Sequence, residues 1–368
     1  MAEWYEINNA DTLDTPCLVV YPDRIRENIR LMLERVADDP TRLQPHVKTY
    51  KMREVVDMQM TAGIRKFKFA TIAEGEMLGQ SGAERALLAY QPVGPKITRL
   101  LELVNRFLDT HYAALVDNTA SASAISEVFA AAGKALTVYL DLDVGMHRTG
   151  IEPGAEAVDL FNHCLSLPGV DPVGLHVYDG QFRQQFEERK RASDEAFRAV
   201  EELRAKIEGT TGRQLDVVAG GSPTFPVHAL RDNVTCSPGT CLLWDWGYAR
   251  KLEEQPFLYA GLVLTRVISH PGNNRICVDL GHKSVAAENP FPRVHFFNLP
   301  DARQLGQSEE HLVLEVDNPA NYPVGTLLYG LPLHICPTCA LYESAHVVRD
   351  GLATEKWGVI ARDRVISI

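Results

Sequence analysis

Apolar and polar residues are arranged in two different patterns along the chain. Between residue 17 and about residue 221, short runs rich in β-branched and aromatic residues are separated by longer segments of helical periodicity, which is typical of strand–helix units around a parallel sheet. The predicted strands are CLVVY, LQPHVK, KFKFAT, RALLAY, HYAALVD, LTVYLDLD, DPVGLHVYD and QLDVVAGG. These runs predict a (β/α)8 barrel, and a doubly wound α/β sheet is the alternative.

Two of the segments between these strands are predicted to be amphipathic helices. PDRIRENIRLMLERVADD has Pro22 near its start, where proline is favoured, and its apolar residues recur at helical spacing. EERKRASDEAFRAVEELRAKIEG would place its charges on a solvated face. After about Arg250, strands and turns follow one another without long helices. We therefore predict a barrel over residues 17–249 and a β-rich domain over residues 250–368.

Composition and charge narrow the class of protein. The chain has 368 residues, of which 45% are hydrophobic and 23% charged, as in an ordinary globular protein with a sizeable core. A net charge of -11 argues against a nucleic-acid-binding protein, which needs a basic face. The sequence shows no signal-peptide pattern and no apolar run of membrane-spanning length, and its 7 cysteines favour reduced thiols. We therefore expect a cytoplasmic protein that does not bind membranes.

The segment LQPHVKTYK contains a candidate amine for covalent chemistry, Lys48. His46, Tyr50 and Lys51 lie beside it in the sequence. Burial and neighbouring positive charge would both lower the pKa of a lysine, and a neutral amine can form a Schiff base with an aldehyde. Position alone, however, favours a solvated surface lysine.

Two glycine-containing segments are candidates for binding a phosphate group. VVAGGSPT ends a predicted strand, and SPGTC lies a short distance downstream. Glycines leave backbone N–H groups accessible, and the neighbouring hydroxyl groups can donate further hydrogen bonds. An ordinary tight turn is the alternative for each segment. The candidate residues are Gly220, Gly221, Ser222, Thr224, Gly239 and Thr240.

The segment PLHICPTC contains a candidate pair of metal ligands. On a strand, His334 and Cys336 would point to the same face and could hold one divalent ion, with water and substrate completing its coordination. Cys339 offers a competing CPTC motif, which would be half of a zinc-thiolate or redox site. A packed histidine with an inert buried cysteine is a further alternative.

Two other predicted strand ends contain polar side chains that suit an active site. Arg148 follows a strand in DLDVGMHRTGI, where it could meet a carboxylate or phosphate, and His147 precedes it. His176 and Tyr178 end the strand in GLHVYDGQ. Because the active site of a (β/α)8 barrel lies at the carboxyl ends of its strands, we expect these residues near Lys48.

Taken in order, these motifs resemble the D-threonine aldolase and D-serine dehydratase family of pyridoxal-phosphate enzymes, which share the alanine-racemase type of barrel. The resemblance extends over nearly the whole chain, through DTPCLVVY, QPHVKTYK, FATIAEGEML, DLDVGMHRTG, GLHVYDGQ, AGGSPT, SPGTC, VDLGHKS, SEEHLVL and PLHICPT. It implies a barrel that binds the cofactor and a C-terminal β domain that residues 1–16 join. It also implies a homodimer whose active site forms between the barrel of one subunit and the β domain of the other.

The resemblance also implies roles for individual residues. Lys48 matches the Schiff-base lysine, and Tyr178 matches the tyrosine that meets the pyridine nitrogen. His46 and Arg148 are expected beside the cofactor, and the six glycine-segment residues named above match the phosphate-binding segments. His334 and Cys336 match the family's divalent-metal pair, for zinc, manganese or magnesium.

The activity implied is that of a lyase for D-3-hydroxy amino acids. We rank cleavage of D-threonine to glycine and acetaldehyde first, because FATIAEGEML and LLAYQPVGP look more like bacterial proteins grouped with the aldolases. Dehydration and deamination, as in D-serine or D-3-hydroxyaspartate dehydratases, is the alternative that the His-x-Cys pair favours, and amino-acid racemisation is a second alternative. Tyr50 departs from the histidine that is common in the family, so a proton-transfer role at this position is not implied here.

Overall fold

Strands and helices alternate in the first two thirds of the chain, and strands dominate the last third, as the sequence pattern predicts. The computed structural model describes residues 3–368. The strands are β1 (Cys17–Val20), β2 (Lys66–Phe69), β3 (Arg85–Leu88), β4 (His111–Val116), β5 (Leu136–Leu142), β6 (Val170–Val177), β7 (Asp216–Ala219), β8 (Thr235–Cys236), β9 (Gly261–Ser269), β10 (Arg275–Val278), β11 (Val294–Phe296), β12 (Arg303–Gln307), β13 (Leu312–Glu315), β14 (Leu327–Pro332), β15 (Ser344–Arg349) and β16 (Leu352–Gly358). The α-helices are α1 (Pro22–Arg35), α2 (Arg53–Thr61), α3 (Ile72–Ser81), α4 (Pro95–Arg106), α5 (Thr119–Ala131), α6 (Ala155–Ser166), α7 (Phe186–Thr211), α8 (Phe225–His228), α9 (Trp246–Ala249) and α10 (Ile335–Cys339).

One compact unit is a parallel barrel-type sheet with helices between its strands, and this confirms the predicted α/β fold. The strands β2 to β8 lie side by side in chain order. Leu43 pairs with Cys236 and His46 pairs with Lys68, so the segment between them bridges the last strand and the first. This segment forms only isolated pairs because Pro45 has no N–H to donate to a ladder. The unit comprises Met32–Lys48, Val56–Gly239 and Asp363–Ile368.

Three details of the barrel differ from the strand prediction, and the first is that LQPHVK forms only isolated pairs at Leu43 and His46 instead of a strand. The run CLVVY forms β1, but β1 pairs with β9 and β15 and is not a barrel strand. All four of its residues are buried, so the run has no polar–apolar alternation that would reveal its sheet. The last barrel strand is instead β8, which has only two residues and therefore leaves no detectable hydrophobic pattern.

The second compact unit is built on a sheet of nine strands. Its order is β12-β13-β10-β9-β1-β15-β16, and β14 pairs with both β9 and β11. Val19, Leu262 and Leu264 belong to the buried apolar cluster of this sheet, and Trp4 and Tyr5 pack against it. The Asn8 N–H donates to the Gly351 carbonyl at 2.7 Å. The unit contains the residues up to Leu31, together with Thr49–Val55 and Thr240–Arg362.

Both predicted amphipathic helices are present. The first begins at Pro22, whose fixed φ and missing N–H suit the first helical position. The second, α7, ends at Gly212, which adopts a left-handed conformation with φ of 68° and closes the helix with a hydrogen bond to Glu208. Across residues 3–368, none of the helices combines the length and the hydrophobicity that crossing a bilayer requires.

Candidate active site

Lys48 lies in a short 3-10 turn, Val47–Thr49, directly after the segment that closes the barrel. Its backbone N–H donates to His46 Nδ1 at 3.2 Å, so the predicted neighbours are in contact. His46 is buried, but the Lys48 side chain is exposed rather than partly desolvated. The turn, which ends the barrel-closing segment, places the amine at the surface of this unit.

The aromatic ring of Tyr178 connects two of the predicted basic residues. The Lys48 Nζ lies 6.0 Å from the ring centroid, and the Arg148 guanidinium carbon lies 4.6 Å from it. Both cations are therefore within the range of cation–π attraction. The structure brings Lys48, Arg148 and Tyr178 together at the carboxyl ends of the parallel strands, as the sequence predicts.

The turn after β7 requires glycine for steric reasons. Gly220 has a φ of 79°, and a Cβ at this position would lie 2.6 Å from the His228 ring. A Cβ on Gly221 would lie 3.1 Å from the Tyr178 ring. The Gly239 N–H donates to Ser222 Oγ at 3.3 Å, which joins the two predicted glycine segments. The two glycine segments therefore meet beside Tyr178, and glycine-rich turns of this kind can bind a phosphate.

A buried carboxylate, Asp179, supports this turn from behind. Thr224 Oγ1 donates to Asp179 at 2.5 Å, and His228 Nε2 lies 2.9 Å from the same carboxylate. Burial alone would raise the pKa of Asp179, but the interaction with His228 and the hydrogen bonds from Thr224 and Ser193 hold it below its usual value. The Thr224 hydroxyl is thus directed toward Asp179, so a phosphate contact of Thr224 would have to use its backbone.

A second buried network lies inside the barrel and was not predicted from the sequence. Lys68 Nζ lies 3.0 Å from His176 Nε2, and His176 Nδ1 lies 2.7 Å from Asp141 Oδ1. All three residues are only 3% exposed. Burial, followed by the charge of Lys48, lowers the pKa of Lys68 to about 7. Burial and the charge of Lys68 also lower the pKa of His176.

The predicted metal pair does not lie on a strand, which corrects the sequence interpretation. β14 ends at Pro332, and His334 is the residue that precedes α10. The Asp245 carboxylate accepts the Ile335 N–H at 3.2 Å, and Thr338 Oγ1 donates to the His334 carbonyl at 2.8 Å. These two hydrogen bonds turn the chain into a helix immediately after His334.

His334 and Cys336 nevertheless interact with each other. Burial alone would lower the pKa of His334, but hydrogen bonding to Cys336 and the charge of its thiolate raise this pKa to about 9. Burial would raise the pKa of Cys336, but the interaction with His334 lowers it. His334 Nδ1 lies 2.5 Å from Glu288 Oε1, which leaves Nε2 as the nitrogen available to a metal. A thiolate and an oriented imidazole are donors that suit zinc and similar ions.

Further contacts distinguish Cys336 from Cys339. Cys336 Sγ lies 3.1 Å from Thr49 Oγ1 and 3.4 Å from Thr240 Oγ1. Burial raises the pKa of Cys339 well above its usual value, so its thiol stays protonated and is a poor ligand. Within residues 3–368, no cluster of three or more histidine, cysteine or acidic residues has the geometry of a metal site.

The structure thus places the predicted site residues in both units. Lys48, His46, Arg148, Tyr178 and the turn at Gly220 belong to the barrel unit, and the second unit contains Thr240, His334 and Cys336. Tyr50, in the second unit, is fully buried. The residues of these contact networks that sequence reasoning missed are Lys68, Asp141, Asp179, His228, Asp245 and Glu288. For Lys68 and Asp141 there was a signal, because each is a charged residue within an otherwise apolar strand, in KFKF and LTVYLDL.

A parallel barrel with an amine and a glycine turn at its strand ends is the arrangement of a cofactor-binding enzyme fold. Residues 20–244 match the alanine racemase N-terminal domain, and residues 260–348 match a serine dehydratase domain. The chain belongs to this alanine-racemase-type family, whose members depend on pyridoxal 5'-phosphate.

Relatives match the chain over nearly its full length. A D-threonine aldolase from Arthrobacter sp. is 28% identical over 95% of this chain and 93% of its own. A D-threo-3-hydroxyaspartate dehydratase from Delftia sp. is 27% identical over 94% of this chain and 97% of its own.

Solved structures of both kinds of enzyme superpose well on the chain. The D-threonine aldolase from Filomicrobium marinum has a TM-score of 0.89 at 26% identity and covers 97% of both chains. A cysteine-to-alanine variant of a D-threo-3-hydroxyaspartate dehydratase in a metal-free form has a TM-score of 0.82 at 25% identity, covering 94% of this chain and 97% of its own.

Proposed function

We propose that the protein is a lyase that uses pyridoxal 5'-phosphate and a divalent metal to act on D-3-hydroxy amino acids, in the manner of a D-threonine aldolase. The observation that carries the proposal is the position of Thr49. It directly follows Lys48 in the sequence, and its hydroxyl lies 3.1 Å from the Cys336 thiol. The chain itself therefore joins the candidate cofactor lysine to a residue that contacts a candidate metal ligand.

The residues of the barrel unit fit pyridoxal 5'-phosphate. Lys48 supplies an amine for covalent attachment. The turn at Gly220 and Gly221, where a Cβ would lie 2.6 Å from His228 and 3.1 Å from Tyr178 respectively, suits the phosphate. We assign Tyr178 to the ring nitrogen, and we place His46 and Arg148 beside the cofactor. When bound, the cofactor supplies an electron sink for the charge that develops at the substrate's Cα. The proposed phosphate-binding residues are Gly220, Gly221, Ser222, Thr224, Gly239 and Thr240.

Lys48 is the residue that we propose moves a proton at the substrate's Cα. In cleavage, the β-hydroxyl loses its proton, the Cα–Cβ bond breaks, and Lys48 returns a proton to Cα. In dehydration, Lys48 removes the Cα proton and the β-hydroxyl leaves. A general acid or base in this role must lie within hydrogen-bond reach of Cα. The Lys48 side chain is exposed and can move, whereas the Lys68 side chain is buried.

His334 and Cys336 are the residues that we propose bind the metal, with Glu288 orienting His334. A divalent ion bound there would supply Lewis acidity. It would either make the substrate's β-hydroxyl more acidic or make it a better leaving group. An imidazole and a thiolate suit zinc, while manganese and magnesium would bind with weaker affinity. The carboxylate on His334 Nδ1 fixes the ring, so Nε2 is the nitrogen that would hold the ion.

Dehydration is the second candidate function, and a specific observation favours it. In this chain a cysteine, Cys336, is the second proposed metal ligand. The D-threo-3-hydroxyaspartate dehydratase variant in which a cysteine is replaced by alanine has a structure in a metal-free form. Racemisation is a further candidate that needs no metal. The carboxylate-oriented His334 beside Cys336 supports the metal-dependent reactions over racemisation.

Product analysis with D-threonine tests the proposal and separates the candidates. Cleavage gives glycine and acetaldehyde, dehydration gives 2-oxobutanoate and ammonia, and racemisation gives L-threonine. We expect glycine and acetaldehyde, loss of this activity in His334→Ala, and full activity in the matched control His311→Ala, whose histidine is exposed in the same unit. If no D-3-hydroxy amino acid yields either kind of lyase product, the proposal is wrong.

We also propose, from the family resemblance, a homodimer in which the partner subunit completes each active site. Light scattering should then give about twice the chain mass of 40.9 kDa. Activity per chain should fall when dilution separates the subunits. A monomer with full activity would exclude this part of the proposal.

A further inference from the structure

The barrel unit contains two buried histidines, and each lies between a carboxylate and a cation. His228 lies 2.9 Å from Asp179, and its other nitrogen lies 2.6 Å from Arg231 Nη1. His176 lies 2.7 Å from Asp141, and its other nitrogen lies 3.0 Å from Lys68 Nζ. Because a carboxylate accepts and a cation donates, each histidine carries its proton on the nitrogen that faces the carboxylate.

The two arrangements differ in whether the cation can release a proton. Arg231 is always protonated, so it only donates to His228 Nδ1 and has no proton to transfer. Lys68 can transfer a proton across its hydrogen bond: the Nζ–H bond breaks, an Nε2–H bond forms, and the positive charge moves from Lys68 to His176. In both states the pair carries one positive charge opposite the negative charge of Asp141, so no counterion is needed.

Asp141 is equipped to remain ionised in both states. Its Oδ2 accepts hydrogen bonds from Thr149 at 2.9 Å and from Gln91 at 3.1 Å. Burial opposes ionisation, yet the bonds from His176, Thr149 and Gln91 hold the pKa of Asp141 below its usual value. The movable proton therefore belongs to Lys68 and His176 rather than to the carboxylate.

The charges around Lys68 set the range of pH in which this proton is lost. Lys68 has a pKa of about 7, which is far below that of an exposed lysine. Lys48 and Arg148 oppose its positive charge, whereas Asp141 and Asp179 favour it. The titratable and charged groups that face the pair are Lys48, Asp141, Arg148 and Asp179, and His46 pairs with Lys68 in the adjacent segment.

The backbone ties Lys68 to the segment that leads to Lys48. The Lys68 N–H donates to the Pro45 carbonyl at 2.8 Å, and His46 accepts the Lys48 N–H. On the other side, His176 lies near the end of β6, and Tyr178 is the first residue after that strand. A change of charge on the Lys68–His176 pair therefore changes the electrostatic potential at Lys48 and Tyr178, two of the proposed cofactor-binding residues.

We propose that Lys68 and His176 share a single proton across their buried hydrogen bond, and that Lys68 is a positioning residue whose charge controls the reaction at Lys48. This inference rests on the proposed function. Charge close to the cofactor ring and to the attacking amine sets how strongly electrons are withdrawn from Cα, so the ionisation of this pair is visible in turnover. Because Lys68 is buried, we assign it an action through its neighbours and not through the substrate.

The experiment compares the full-length, cofactor- and metal-loaded protein with three variants. Lys68→Arg keeps the charge but fixes the proton, Lys68→Met removes both, and Lys206→Met replaces an exposed lysine on α7 as the matched control. One measurement is the ring nitrogen NMR signal of His176, assigned with His176→Gln, from about pH 5.5 to 9. The other is kcat and KM for D-threonine over the same range.

In the wild-type protein and Lys206→Met, we expect the His176 Nε2 signal and kcat to change together near pH 7, where Lys68 ionises. Lys68→Arg should abolish this change in both measurements while KM stays constant. In Lys68→Met, His176 should become protonated at a higher pH than in wild type, because the charge of Lys68 no longer opposes it. We expect kcat of this variant to fall by about tenfold or more.

An Nε2 signal that does not change with pH in the wild-type protein would overturn the inference, and so would an unchanged kcat profile in Lys68→Arg. If circular dichroism shows that the Lys68 variants do not fold, the wild-type NMR titration decides alone. Loss of the proposed function is separately recognisable, because the His176 signal is read whether or not D-threonine is turned over.

Discussion

Replacing Lys68 by methionine should change how the stability of the barrel depends on pH. Lys68 is 3% exposed, and its pKa is about 7 in the folded protein. In the unfolded chain a lysine has a pKa of about 10.4. Between these values the unfolded state binds one more proton than the folded state, so the stability of the wild type rises with pH across this window. Methionine has a similar shape and no proton to lose.

The magnitude follows from the size of the shift. One proton of difference corresponds to about 1.4 kcal/mol per pH unit, and the folded lysine is still partly protonated near pH 7. Integration from about pH 7 to pH 9 gives a gain of about 2 kcal/mol for the wild type relative to Lys68→Met. The charged lysine is thus a cost to folding at neutral pH, as is common for groups that serve function.

Urea unfolding of the cofactor-free full-length chain measures this difference, since the Lys48 amine is then unattached. The wild type, Lys68→Met and the exposed-lysine control Lys206→Met are unfolded at several pH values within this window. We expect the wild type and the control to gain stability in parallel and Lys68→Met to lag behind them by about 2 kcal/mol near pH 9. Parallel curves for all three proteins would refute the assignment of a neutral buried amine to Lys68.

Three further changes test other parts of the site. Asp179→Asn removes the charge that Thr224 and His228 share, and we expect a loss of about 3 kcal/mol of unfolding free energy together with weaker cofactor retention, measured by urea unfolding and by cofactor absorbance after dialysis. Glu288→Gln frees His334 Nδ1 from its carboxylate, so half-maximal activity should need about tenfold or more metal, while the products stay the same. Gly220→Ala introduces a Cβ at a φ of 79° and 2.6 Å from His228, so the cofactor should dissociate faster than from the wild type, as a release assay would show. Unchanged cofactor retention in Asp179→Asn or Gly220→Ala, or an unchanged metal requirement in Glu288→Gln, would contradict these roles.

The parts of the fold that could be predicted are those with a local pattern. Helix α7 has an amphipathic pattern and a glycine directly after its last residue, so its sequence indicates the helix and its end. The strand β1 has no such signal, because a fully buried apolar run fits the centre of either sheet, and only its pairing with β9 and β15 decides. Isolated pairing at His46 in place of a regular strand likewise depends on partners far away in the sequence.

The same distinction applies to the candidate site. The turns at Lys48 and Gly220 could be located because each is marked by residues within a few positions of it, whereas their roles follow only from the family resemblance and stay predictions. The contact of Lys68 with His176 joins residues 108 positions apart and depends on the register of β2 against the rest of the barrel. The position of His334 just before α10 was mispredicted because the helix depends on Asp245, which lies 90 residues away and accepts the Ile335 N–H.

The central claim, a lyase reaction that needs both cofactor and metal, is tested most directly by one chelation cycle. The cofactor-loaded protein is given D-threonine before chelation, after removal of divalent ions, and after manganese or zinc is returned. The account predicts that glycine and acetaldehyde form, that chelation stops their formation, and that the returned ion restores it. Undiminished turnover after chelation, or conversion of D-threonine to L-threonine alone, would contradict it.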